Sequence, residues 1–132
     1  MKGLVRDHMT RGFVAASPQT PAREIARLMA TNDVHCVLIE GIAGDDGGER
    51  LVWGLVTDLD LMAAVAGEHL EASAGEMAAT AVLTVAEEDG LARAASLMAE
   101  HGSTHLVTVR GDTGEPTGII STLDVAQATT GV

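Results

Sequence analysis

Two short segments bring hydroxyl and carboxylate side chains together at a spacing that suits ligand chemistry: Thr57-x-x-Asp60 and Ser121-x-x-Asp124. Gly54-Leu55-Val56 leads into the first and Gly118-Ile119-Ile120 into the second, so each follows a short apolar strand. A hydroxyl beside the free N–H groups of a helix N-terminus is suited to a phosphate. A carboxylate one turn further in can accept two hydrogen bonds from a vicinal diol. The same spacing is also that of a capping box, in which hydroxyl and acid only satisfy the helix end. One occurrence favours capping, because the pattern is common. Two occurrences in the same context call for a repeat.

Other chemistries find less support. His35 and Cys36 are neighbours in a predicted strand and therefore face opposite sides. His69 and His101 fall near predicted helix ends, where a cation complements the dipole. The sequence has one Cys and no His pair at ligand spacing, so no metal site is expected. It contains no nucleophile elbow, P-loop or dinucleotide-binding glycine motif. The glycine-rich stretch 41–48 carries Asp45 and Asp46, which oppose a phosphate, and it reads as a hairpin tip. No catalysis and no catalytic cofactor are expected.

Charge narrows the partners further. Among 132 residues, 8 are Lys or Arg and 19 are Asp or Glu, for a net charge of −11. Nucleic acid is an unfavourable partner, because its binding relies on neutralising phosphates. One Trp, one Phe and no Tyr also leave few platforms for base stacking. Residues 1–66 hold six basic and nine acidic side chains, and residues 67–132 hold two and ten. Anions should therefore prefer cations of the first half. Asp58, Asp60 and Glu68 interrupt the most apolar stretch, so no membrane span is expected. A charged Met1–Thr10 and a lone thiol suit a cytoplasmic protein.

The elements that must position these residues are written twice. Leu28-Met29-Ala30 recurs as Leu97-Met98-Ala99 at an offset of 69, and the Gly54–Asp60 motif recurs as Gly118–Asp124 at an offset of 64. The difference falls in a hairpin, long at 42–50 and short at 111–115, where loop length costs little. Each repeat opens with a short extended segment, Phe13–Ala16 or Ala81–Val85. A helix follows, with Thr20 and Asp89 as expected N-caps. Ile25, Leu28 and Met29 give the first helix its apolar face; Leu91, Ala94, Ala95 and Met98 do so in the second, which Gly102 ends. Two strands then form a hairpin (34–40 with 51–56; 104–110 with 117–120), and a final helix starts at Thr57 or Ser121. The fold class is α/β (α+β), with two β-α-β-β-α repeats, 1–67 and 68–132, packed pseudo-symmetrically sheet to sheet.

With this order in view, the sequence resembles a tandem pair of cystathionine β-synthase (CBS) domains, a Bateman module. The opening Val5-Arg6-Asp7-His8-Met9-Thr10 fits the family's start, with a weaker echo at Gly75-Glu76-Met77. It departs from the family in lacking a middle-strand Pro, where Leu38 and Val107 stand. The resemblance implies a stand-alone regulatory module that binds an adenine nucleotide or other adenosyl ligand in the cleft between repeats. AMP, ADP, ATP and S-adenosylmethionine are the expected ligands. In one site Ser121, Thr122 and Asp124 would face Val14, Ala15 and Ala16, with His35 nearby. In the other, Thr57, Asp58 and Asp60 would face Leu83, Thr84 and Val85, with His105 nearby. Lys2, Arg6 and Arg11 would steer phosphate to the Asp124 site, which is therefore favoured. The acidic Asp60 site is expected to be weak, empty or suited to a less charged adenosyl group. The resemblance also implies a homodimer and a regulated protein partner. The alternative reading is a ligand-free, dimerising interaction module.

Overall fold

The structure is a computed structural model that describes residues 3–43, 51–78 and 82–130. Lys2, Ala81 and most of the long hairpin loop lie outside the described residues. The chain divides into two compact units, Val14–Val82 and a second made of Met1–Phe13 with Leu83–Val132.

In the first unit, strands β2 (Ala15–Ala16), β3 (Cys36–Ala43) and β4 (Leu51–Thr57) form one sheet with β3 in the middle. β2 runs parallel to β3, as a helical crossover requires, and β4 returns antiparallel through the hairpin. Helices α2 (Ala22–Asn32), α3 (Asp58–Ala66) and α4 (Ala74–Met77) belong to this unit. Its core joins Ile25 and Met29 of α2 to Val37, Ile39 and Val56 of the sheet and Leu61 and Ala64 of α3. Cys36, Val37, Leu38 and Ile39 are all buried, so β3 is covered on both faces.

The second unit repeats the plan with one strand more. β5 (Thr84–Ala86), β6 (His105–Val109) and β7 (Pro116–Ser121) reproduce the parallel and antiparallel pairings. α5 (Leu91–His101) and α6 (Thr122–Thr129) match α2 and α3. The added strand is β1 (Thr10–Arg11), antiparallel to β7, and α1 (Val5–His8) precedes it. Val5 is fully buried among Val85, Leu91, Ala94, Met98, Leu106 and Ile120. Gly118 makes the β1 contact possible, because a Cβ there would run into the Thr10 carbonyl oxygen.

The seams of packing differ from those of repetition. Residues 3–13 pack with the second repeat, and α4, with its buried Ala74, packs with the first. The two exchanges are equivalent at the offset of 69: Leu4 bridges to Gly90 and Ser73 bridges to Pro21. They also correct the expected helix caps. Pro21 and Gly90, not Thr20 and Asp89, occupy the N-cap positions, and neither helix has a side-chain cap. The backbone of the crossing segment does that work. The Ala22 N–H donates to the Ala72 carbonyl at 2.8 Å, and the Leu91 N–H to the Gly3 carbonyl at 3.2 Å. A helix donor satisfied by a neighbouring chain segment has no need of a hydroxyl. At the other end Gly102 takes the left-handed conformation expected of it, φ 61°. Asp33 does the same for α2 at φ 53°.

Candidate functional site

Both hydroxyl–carboxylate motifs lie where a strand becomes a helix, and both are complete capping boxes. At the start of α3, the Thr57 N–H donates to Asp60 Oδ2 at 2.9 Å, and the Asp60 N–H donates back to Thr57 Oγ1 at 3.3 Å. At the start of α6, the Ser121 N–H donates to Asp124 Oδ2 at 2.8 Å and the Asp124 N–H returns to Ser121 Oγ at 3.3 Å. Ser121 Oγ adds a second bond to Asp124 Oδ2 at 3.0 Å. In both boxes the cap engages Oδ2, and both carboxylates are half-buried.

The sheets bring the other candidate residues towards these helix starts, each within its own unit. In the first, Val14 accepts the Leu38 N–H at 2.9 Å, and Ala15 and Ala16 pair with Leu38 and Ile39. His35 directly precedes β3, and its carbonyl accepts the Asp58 N–H at 2.8 Å. His35 Nδ1 lies 3.2 Å from Asp58 Oδ2. In the second unit, the Leu83 carbonyl accepts the Val107 N–H at 3.0 Å, Thr84 pairs with Val107, and Val85 is buried. His105 pairs across the sheet with Ser121, and its Nδ1 lies 2.9 Å from Thr104 Oγ1. The Thr122 N–H donates to the Thr104 carbonyl at 3.0 Å. Ser121, Thr122 and Asp124 thus share a unit with Leu83, Thr84, Val85 and His105, while Val14, Ala15, Ala16 and His35 share one with Thr57, Asp58 and Asp60.

Two of the three expected phosphate-steering cations are described. Arg6 and Arg11 belong to the unit that contains Asp124, and β1, which carries Arg11, is the sheet neighbour of β7. The Arg11 guanidinium pairs with Glu87 at 3.4 Å.

Apart from Thr57 standing for Ser121, the two helix starts differ at one position. Asp58 stands where the second repeat has Thr122. Its Oδ1 accepts the Leu59 N–H at 2.9 Å. With Asp58 N–H on His35 and Asp60 N–H on Thr57, the first three donors of α3 are all occupied. At α6 the Thr122 and Asp124 N–H groups are bound, and among the described residues the Leu123 N–H has no partner. Sequence reasoning placed Asp58 in the site but not its bond to Leu59, which needs the rotamer.

Burial, with the Asp58 carboxylate adding to it, pushes the Cys36 thiol up to about 11. The thiol is therefore protonated near neutral pH and a poor nucleophile. Among the described residues no group of three His, Cys, Asp or Glu side chains is placed to hold a metal ion. No helix among them is long and apolar enough to cross a membrane. Asp60 also lines a cavity of about 980 Å³ in its own unit, with Glu68, His69, Glu71, Glu76 and Met77. The sequence did not point to it, because residues 68–77 read there as the opening of the second repeat.

Comparison with known proteins accounts for this duplicated architecture. The CBS-domain family profile matches residues 5–67 and again 74–131. No curated protein matches the sequence. Among solved structures, the CBS domain pair of protein MJ0100, in complex with 5′-methylthioadenosine and S-adenosylmethionine, aligns with a TM-score of 0.78 at 21% identity. The alignment covers 98% of this chain and 97% of that one. The CBS domain protein PAE2072 from Pyrobaculum aerophilum, complexed with AMP, aligns at 0.77 and 25% identity over 98% and 100%. CBSX2 in complex with AMP aligns at 0.72 and 24% over 98% of each chain. Two profile matches, an internal repeat and capping boxes at both strand-to-helix turns lead to one conclusion: the chain belongs to the CBS-domain family, as a tandem pair forming a Bateman module.

Proposed function

We propose that this chain is a regulatory CBS pair that binds an adenosyl ligand, an adenine nucleotide or S-adenosylmethionine, and signals its occupancy to a partner protein. The observation that carries the reading is the paired capping box. Each box puts a hydroxyl and a carboxylate at a helix start beside the first residues of a middle strand. In the proposal, hydroxyl and helix N–H groups take phosphate, and Asp124 or Asp60 takes the ribose hydroxyls. Ser121, Thr122 and Asp124 form the favoured set. The AMP complex of PAE2072, at 25% identity over 98% of this chain, supports the ligand class. The ligand acts as an effector, with no catalytic step, and the response is a shift between conformations that bind it unequally.

A thermal-shift panel of AMP, ADP, ATP and S-adenosylmethionine tests this. A ligand at a hundred times its dissociation constant stabilises by about 2.7 kcal/mol, and Asp124→Ala should remove the shift. A flat panel at millimolar ligand contradicts the reading.

The second reading, a dimerising interaction module without ligand, is favoured by a separate observation. Leu59 and Met62 on α3 and Leu123 on α6 are 76%, 50% and 63% exposed, more than large apolar side chains need be. We propose that these helices pair two copies of the chain, with or without ligand. Leu59→Glu with Leu123→Glu should yield a monomer by sedimentation. A dimer that survives both substitutions contradicts that interface.

A further inference from the structure

The two helix starts are built alike and filled differently. At α6 the second residue of the helix, Leu123, keeps a backbone N–H without a partner among the described residues. At α3 the equivalent N–H, that of Leu59, is held at 2.9 Å by the carboxylate of Asp58. The other oxygen of that carboxylate lies 3.2 Å from His35 Nδ1, at the head of the middle strand. Asp58 therefore supplies from within the chain the negative charge that a helix N-terminus would otherwise draw from a ligand.

We propose that Asp58 is the charge selector of the first repeat's site: it excludes a 5′-phosphate there and leaves the site to uncharged or cationic adenosyl groups. This rests on the adenosyl reading above and specifies the ligand class of one of its two sites. A phosphate approaching Thr57 finds the Leu59 donor already taken and a like charge beside it. Its surroundings reinforce this. Asp60 lines a cavity with Glu68, Glu71 and Glu76, whose ionisable neighbours are His69 and Arg23, the latter 2.8 Å from Glu71. In the second repeat Thr122 stands in the place of Asp58 and the Leu123 donor is open, while the Ser121 hydroxyl donates to Asp124 Oδ2 at 3.0 Å. The same scaffold thus presents an anion-accepting and an anion-refusing helix start.

The test isolates the first site in an Asp124→Ala background and measures calorimetric affinities for AMP, a dianion, and 5′-methylthioadenosine, which has no phosphate. AMP should bind at least about tenfold more weakly than 5′-methylthioadenosine, consistent with one close like-charge contact at a partly solvated site. Adding Asp58→Asn keeps a side-chain acceptor for the Leu59 N–H and removes the charge. It should bring the two affinities within about threefold. Asp58→Thr, which copies the second repeat, should do the same. A merely structural Asp58 would change the melting temperature and leave the ratio of affinities where it was. That unchanged ratio would overturn the proposal and leave the adenosyl reading standing. So would 5′-methylthioadenosine failing to bind Asp124→Ala while the unmodified protein binds an adenosyl ligand. Failure of the unmodified protein to bind either compound would overturn both.

Discussion

Asp124 and Asp60 each accept a backbone N–H, so under the proposed function their removal has a structural cost as well as a functional one. Loss of a cap costs about 0.5–2 kcal/mol, and Asp124→Ala should lower the melting temperature by a few degrees. Asp124→Asn keeps an acceptor for the Ser121 N–H and should recover most of that loss. It gives up the charge-assisted bonds that a ribose diol would make. Melting curves of the two variants, with and without ligand, separate the two contributions. Cys36 gives an independent check on the same corner of the molecule, since Asp58 contributes to its perturbation. Its pKa is raised from 9.0 to about 11. The folded state therefore holds a proton that the unfolded chain releases at lower pH. Stability from this source is fully present below about 9 and is lost as pH rises through 11. Thermal melts across that window should fall more steeply for the unmodified protein than for Cys36→Val. Alkylation near neutral pH should also be about a hundredfold slower than in the unfolded chain, from thiolate fraction alone.

At the scale of elements, the exchanged segments carry the most exposed prediction. β1 rests on Gly118, and α1 is anchored by a fully buried Val5. Gly118→Val should force the Thr10 carbonyl away and detach residues 3–13, which hydrogen exchange would register as lost protection over that segment. Val5→Ala should cost about 2 kcal/mol or more by opening the core of the second unit. Protection in residues 14–78 should change far less in either variant, because that unit has its own core.

These same segments mark where the sequence was legible and where it was not. The helical faces of α2 and α5, the hairpins and the strand-to-helix turns follow from local periodicity and turn chemistry, and they stand where those signals put them. The N-caps at Thr20 and Asp89 are where local reasoning failed. The donors they would have satisfied are taken by backbone carbonyls of Ala72 and Gly3, roughly 50 and 90 positions away in the chain. No local pattern encodes such a pairing. β1 was missed for the same reason, since two exposed residues, Thr10 and Arg11, have no strand signal of their own. At the site, the motifs were legible because they occur twice. The bond from Asp58 to the Leu59 N–H was not, because it depends on a side-chain rotamer.

For the whole molecule, the repeat supplies two helix starts of one design that carry different charge. The N-terminal half carries most of the cations, yet Arg6 and Arg11 pack with the unit of Asp124. Net charge of −11 disfavours anions in general, so the proposed selectivity for a phosphorylated ligand would have to come from local donors. It follows that AMP affinity should weaken only modestly with added salt, in contrast to a site built on a lysine cluster. Titrations at low and physiological ionic strength check this.

In the proposed function the duplicated hydroxyl–carboxylate box is a ligand site as well as a cap. Calorimetric titration of AMP into the unmodified protein and into Asp124→Asn tests it most directly. Saturable binding is expected for the first, and binding at least about tenfold weaker for the second, whose helix remains capped. Equal affinity in the two proteins, with both folded, would contradict it and leave Asp124 as a helix cap alone.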